Sequence, residues 1–248
     1  MKRILTAILL TAVLSPIWGQ EADSAAMIVD RFVAIMNMKD LPRDSMVMVT
    51  SIQIDRDNPS DTTIMKRWDA WPNKNRSEVW YHGRMLDGFV SDGIQQHMYF
   101  DTIRRAWRNC MHVQYLDNYV AYDIRGPLYY WRTNGSELKY LGELSFQGKP
   151  IYGVEISMLS NYTRQYFFEK ESGLLFLYKM TDHLVGDSIR EEYITDWRAY
   201  HEYQKKGACI FPEVESYQNQ GHVYIIHHQV EYVPYDEKVF KQSNEPRR

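Results

Sequence analysis

Cysteine is scarce in this 248-residue chain, which has only Cys110 and Cys209. There is no CxxC pair for thiol redox chemistry and no cysteine cluster for zinc, and two thiols admit either one bridge or two separate buried side chains. Glycine and proline are modest at 13 and 9 residues, and the chain has no fixed-period repeat or low-complexity block. No apolar run reaches the ~20 residues that a membrane-spanning helix needs. Basic residues do not outnumber acidic ones, with 29 Lys+Arg against 32 Asp+Glu, so nucleic acid is not an expected partner. HExxH, GxSxG and Walker-type loops are all missing. What the chain has in quantity is aromatic side chains, 14% of residues with 19 Tyr and 7 Trp, a composition that favours strands.

Residues 1–20 have the form of an export signal. Lys2 and Arg3 precede an apolar run from Ile4 to Leu14, and Gly19 is a small residue at a suitable cleavage site. The expected mature chain, 21–248, is a single periplasmic domain. With no cysteine near the cut there is no attachment point for a lipid anchor, so the expected product is soluble.

Within the mature chain, Ala25, Ile28, Val29, Phe32, Ile35 and Met36 recur at helical spacing, which predicts an amphipathic helix over 24–38 that Asp23 or Ser24 can cap. From Ser45 the period changes to two. Strands are expected at 45–56, 62–71, 76–81, 85–91 and 94–100, separated by turn signals that include Asp57-Asn58-Pro59 and Asp92-Gly93. Val113, Leu116, Tyr119 and Val120 fit a short helix that interrupts the sheet before Gly126-Pro127. A second strand series is expected at 137–147, 150–158, 163–170, 174–181 and 188–197, with a further strand over 223–233. So many consecutive strands with two helices imply a mainly β fold with some α. The expected form is a single strongly curved antiparallel sheet, an unclosed barrel, covered by the N-terminal helix and a central helical lid.

Three segments carry a resemblance: Trp71-Pro72-Asn73-Lys74-Asn75-Arg76, Val90-Ser91-Asp92-Gly93, and the ending from Val230 to Phe240 with its Asp236-Glu237-Lys238-Val239-Phe240 close. In sequence and in order they resemble the periplasmic outer-membrane lipoprotein carrier family (LolA/LolB-like lipoprotein-sorting proteins). The likeness extends over most of Ala25 to Phe240. It implies a binding protein that holds the acyl chains of lipoproteins or other lipids in an apolar cavity and moves them toward the outer membrane. Partners would be acylated lipoprotein or lipid, with transient contact to envelope membrane proteins, and the chain would act as a monomer without a cofactor. Trp71 stands where some bacterial carriers place an arginine that latches the lid; Arg67 and Arg76 are nearby but not at that position.

A carrier of this kind needs an adaptable greasy wall, since each buried CH₂ is worth ~0.8 kcal/mol. Strand alternation offers one set on the first strand, Met46, Met48, Ile52 and Ile54, opposed to Ser51, Gln53 and Asp55. Further sets are Leu138, Tyr140, Leu144 and Phe146, then Tyr152, Val154, Ile156 and Met158, then Leu174, Phe176, Tyr178 and Met180. All are assigned to the concave side as cavity lining, with Val113, Leu116, Tyr119 and Val120 as the lid. A one-residue slip in register would turn any of these sets outward.

No catalytic or metal site is expected. His227-His228 and Glu191-Glu192 are neighbours on strands and point apart, and Ser91-Asp92 belongs to a turn. An envelope lipid sensor or protein-interaction module of the same fold is the alternative, and a secreted hydrolase a more remote one.

Overall fold

The computed structural model describes residues 23–71, 74–92, 97–109, 126–133, 135–157, 163–182, 193–219 and 221–241. The expected export signal, the expected lid residues Val113, Leu116, Tyr119 and Val120, and Met158 and Cys110 all lie outside the described residues.

Among the described residues, thirteen strands make one antiparallel sheet. They are β1 (Ser45–Asp55), β2 (Thr62–Ala70), β3 (Lys74–Tyr81), β4 (Arg84–Ser91), β5 (His97–Asp101), β6 (Ala106–Asn109), β7 (Glu137–Phe146), β8 (Lys149–Ser157), β9 (Thr163–Glu169), β10 (Leu175–Asp182), β11 (Tyr193–Lys206), β12 (Cys209–Asn219) and β13 (His222–Pro234). Their order is β6-β5-β4-β3-β2-β1-β13-β12-β11-β10-β9-β8-β7, with β6 and β7 at the edges. The expected strands are present, most with ends shifted by a few residues, whereas β11 runs on to Lys206 instead of ending at Trp197. β6 and β12 are additional, because neither Ala106–Asn109 nor Cys209–Asn219 shows clean alternation. The first helix, α1, covers residues 23–36, and a short helix, α2, covers Pro127–Tyr130.

The chain divides into two compact units. The first contains residues up to Ile35 together with Trp131–Ile194, and the second Met36–Tyr130 together with Thr195–Arg248.

In the first unit α1 lies on one face of β8–β9. Ala25 and Val29 are fully buried, and the Phe32 ring meets Phe168 at 5.3 Å between centroids. The Arg31 guanidinium donates to the carbonyls of Lys170 and Glu171 in the β9–β10 turn, at 3.1 and 2.6 Å. Gly173 completes that turn at φ +74°, and a Cβ there would sit 2.7 Å from Arg31 Nε and 2.9 Å from the Ile35 side chain. Glycine therefore serves both the left-handed turn and the close seating of the helix.

In the second unit β1 is central, paired with β13 on one side and β2 on the other. A 3-10 turn, Glu237–Phe240, starts on Asp236, whose carboxylate accepts from the Lys238 amide at 2.9 Å. It places Val239 and Phe240 over Met46 and Ala70. Arg76, at 4% exposure, donates to the Val239 carbonyl at 3.1 Å and from Nε to Glu78 at 2.7 Å. Two of the three segments that carried the resemblance, Asn75-Arg76 and Asp236 to Phe240, thus meet in space although about 160 residues apart.

Cys209 is a free, buried thiol that donates to the Asn37 carbonyl at 3.3 Å.

Because Phe168 is wholly buried under Phe32, Phe168→Ala should lower the unfolding free energy by about 3–5 kcal/mol. Chemical denaturation monitored by circular dichroism reads this directly, and a loss below about 1 kcal/mol would mean that α1 is not held through this ring.

Candidate functional site

In the first unit the register fixes which side chains share the face beneath α1. Tyr140 lies opposite Val154, Val154 opposite Tyr166, and Tyr166 opposite Tyr178, so one row of side chains crosses β7, β8, β9 and β10. Leu138 and Ile156 form the next pair on one side, and Tyr152 with Phe168 on the other. Val154, Ile156, Tyr166 and Phe168 are buried, whereas Leu138, Tyr140, Tyr152 and Tyr178 are half-buried and present part of their surface. The rings touch in sequence: Tyr140 and Tyr152 at 6.4 Å between centroids, Tyr166 and Tyr178 stacked at 6.0 Å. Burial raises the Tyr140 and Tyr166 phenols above their ordinary range, so both stay neutral donors at physiological pH. At the end of the row the Lys170 ammonium lies 5.3 Å over the Tyr152 ring and pairs with Glu143 at 2.8 Å.

Leu144 and Phe146 do not join this face. A β-bulge between Tyr140 and Gly142 inserts one residue, and beyond it Leu144 lies opposite Ile151 and Phe146 opposite Lys149, on the other side of the sheet. A second bulge, between Leu175 and Leu177, sends the Phe176 ring to Phe146, 5.9 Å away, with Lys149 at 5.0 Å. Leu174 precedes β10, its carbonyl accepting from the Glu169 amide at 2.9 Å. The expected single face is therefore corrected: Leu138, Tyr140, Tyr152, Val154, Ile156 and Tyr178 come together, while Leu144, Phe146 and Phe176 lie opposite. Met180 pairs with Arg164 through the backbone.

The second unit corrects the reading of β1 more strongly. Met46, Met48, Ile52 and Ile54 do share a face, but Ile52 is 41% exposed beside its partner Ile64, whereas Ser51 and Asp55 on the opposite face are at 7% and 4%. Met46 is buried beneath Val239 and Phe240. The polar side of β1 is the inner one because β12 and β13 supply partners for it. Ser51 Oγ is 2.8 Å from His228 Nδ1, His228 Nε2 is 3.3 Å from Glu215 Oε1, and Arg198 Nη1 donates to the same oxygen at 2.7 Å. Burial opposes the charge on Glu215, but the hydrogen bond and charge of His228 and the charge of Arg198 outweigh it and hold the carboxyl below its ordinary range. Asp55 is likewise held low, chiefly by the Asp57 amide, with His222 adding a contact at 3.0 Å. His227, in contrast, is exposed on the outer face.

A row of serine, histidine and glutamate invites comparison with a nucleophilic triad. A triad also needs amide donors for an oxyanion, and Ser51 and Ile52 lie in a strand laddered on both sides. The row is an ion-pair network that lets a polar strand face be buried. Among the described residues no three His, Cys, Asp or Glu side chains converge to hold a metal ion, and no described helix is long and apolar enough to cross a membrane.

No family model and no curated protein matches the sequence. Solved structures do. A LolA superfamily protein from Nitrosomonas europaea superposes with a TM-score of 0.57 at 10% identity, covering 88% of this chain and 97% of that one. The fold is LolA-like. A DUF1329 family protein from Desulfovibrio piger gives 0.56 at 11% identity, with 88% and 97% covered. An outer membrane lipoprotein-sorting protein domain from Vibrio parahaemolyticus gives 0.52 at 9%, with 86% and 97% covered. At these identities the likeness is one of fold, and the LolA-like sheet here carries its own side chains.

Sequence reasoning missed Phe32, Tyr166 and Phe168 as members of the aromatic face; β9 does not alternate, but its run Tyr166-Phe167-Phe168 was a signal that could have been taken with the rings of β8 and β10. It had no means of finding Ser51–His228–Glu215–Arg198, since Ser51 and His228 are 177 residues apart.

Glu215 is more acidic folded than unfolded, so its contribution to stability is full above the ordinary carboxyl value of 4.5 and is lost as pH falls through the lower folded value. Glu215→Gln should cost about 2 kcal/mol at about pH 7 and flatten the acid-side decline, as measured by urea unfolding across pH. An unchanged acid profile in the variant would show that the network is not a source of pH-dependent stability.

Proposed function

We propose that this chain is an exported, periplasmic binding protein that holds the acyl chains of a lipoprotein or another lipid and carries them toward the outer membrane. The observation that carries this reading is a single sheet face on which half-buried Leu138, Tyr140, Tyr152 and Tyr178 stand beside buried Val154, Ile156, Tyr166 and Phe168. Such a wall suits a flexible hydrocarbon tail, because apolar burial is non-directional and needs few fixed contacts. The phenol hydroxyls and the Lys170–Glu143 pair at one end supply polar groups where an acyl chain joins its glyceride or amide. The LolA-like fold, shared with a domain described as an outer membrane lipoprotein-sorting protein, agrees with this assignment.

The reading predicts micromolar uptake of a fluorescent long-chain fatty acid, and acyl species in extracts of protein purified without detergent. Tyr140→Asp and Tyr152→Glu place a charge in the row and should each weaken uptake by about tenfold or more while leaving the circular dichroism spectrum intact. Uptake that is absent in the parent, or equal in parent and variants, would overturn the assignment.

A further inference from the structure

The β5–β6 connection combines features that the ligand reading does not use. Asp101 pairs with Ala106 across the hairpin, and its Oδ1 accepts the backbone amides of Ile103 and Arg104 at 3.0 and 2.9 Å. Arg105 takes a left-handed conformation, φ +52°, to close the turn. The carboxylate thus builds a fixed tip rather than a loose loop, and on that tip Ile103 is 93% exposed. No other large hydrophobic side chain among the described residues approaches this value; Met27 follows at 65%. A single exposed isoleucine is unremarkable on a surface. This one is ringed by cations. Arg104 and Arg108 stand 3.8 and 3.6 Å from Asp101 with side chains 61% and 44% exposed, and Arg105 is also exposed. Three guanidinium groups against one carboxylate leave a net positive tip around an apolar point.

We infer that this hairpin is a docking tip for an anionic phospholipid surface, with Ile103 entering the acyl boundary while Arg104, Arg105 and Arg108 meet headgroup phosphates. A bilayer offers both chemistries at the required spacing, because its apolar region begins just beneath a layer of negative oxygens. Guanidinium groups pair with phosphate through forked hydrogen bonds. An acidic protein surface would satisfy the arginines but leaves no reason for an isoleucine standing clear of every neighbour. The hairpin lies in the second unit and shares no residue with the aromatic row of the first, so the inference does not depend on what that row binds.

The test is sedimentation of the full chain with vesicles of phosphatidylcholine alone and of phosphatidylcholine mixed with phosphatidylglycerol. Preferential binding to the mixed vesicles, weakened by added salt, is expected. Ile103→Asp and the double variant Arg104→Glu/Arg105→Glu should each reduce that binding by about tenfold, with unchanged thermal unfolding because the altered side chains are exposed. The inference is overturned if the parent does not bind the mixed vesicles, or if it binds them and both variants match it. Loss in the arginine variant with full binding by Ile103→Asp would also overturn it, since that pattern marks a purely ionic contact.

Discussion

Antiparallel pairing gives each strand residue one of two faces, and a single inserted residue exchanges them. Every assignment of function to this sheet depends on that constraint. The bulge after Tyr140 keeps Tyr140 with Val154, Tyr166 and Tyr178 while sending Leu144 and Phe146 to the other side. Without it, Leu144 and Phe146 would extend the Leu138–Tyr140 stripe along the face under α1. The second bulge, beside Phe176, does the same for β10. The wall beneath the helix is therefore narrower than alternation alone predicts.

The two units solve burial differently. In the first, α1 covers an aromatic and aliphatic face, anchored by Phe32 on Phe168 and by Arg31 on the turn carbonyls. In the second, polar residues of β1 are buried because the ion pair of Arg198 and Glu215 and the histidine between Glu215 and Ser51 satisfy one another. Such a network specifies partners: Ser51 has one correct neighbour on β13, and a slipped register would bury an unpaired carboxylate. The Arg76–Glu78 pair plays a similar part for the closing turn, tying the Val239 carbonyl to β3. These contacts favour one arrangement of long strands that otherwise offer many.

Much of this was legible in the sequence. Hairpin signals such as Asp57-Asn58-Pro59 mark local events, and the strands they bound are where alternation puts them. The LolA-like order of elements followed from those strands together with the leading helix. The face of β1 was not legible. Met46, Met48, Ile52 and Ile54 are the obvious inward set, and only knowledge that Glu215, His228 and Arg198 come to meet Ser51 reverses the choice. Those partners are distant in sequence and leave no spacing signal. Bulges are equally silent: Gly142 is a hint of one, but nothing in Leu174-Leu175-Phe176-Leu177 announces the other. Trp71, at the position where some carriers hold an arginine, lies against Arg43 at 4.6 Å, and Arg76 is committed to the C-terminal turn.

What gives the molecule its proposed role is the tyrosine face with the apolar side chains beside it, a surface that offers greasy area and a few phenol donors together. A crystal structure of the chain soaked with a bromine-tipped fatty acid tests this most directly, because anomalous scattering locates the halogen without reference to any prior placement. The account predicts a bromine peak within van der Waals reach of Tyr140, Tyr152 or Tyr178. A peak on the outer face beside Ile52 and Ile64, or none on the protein at saturating ligand, would contradict it.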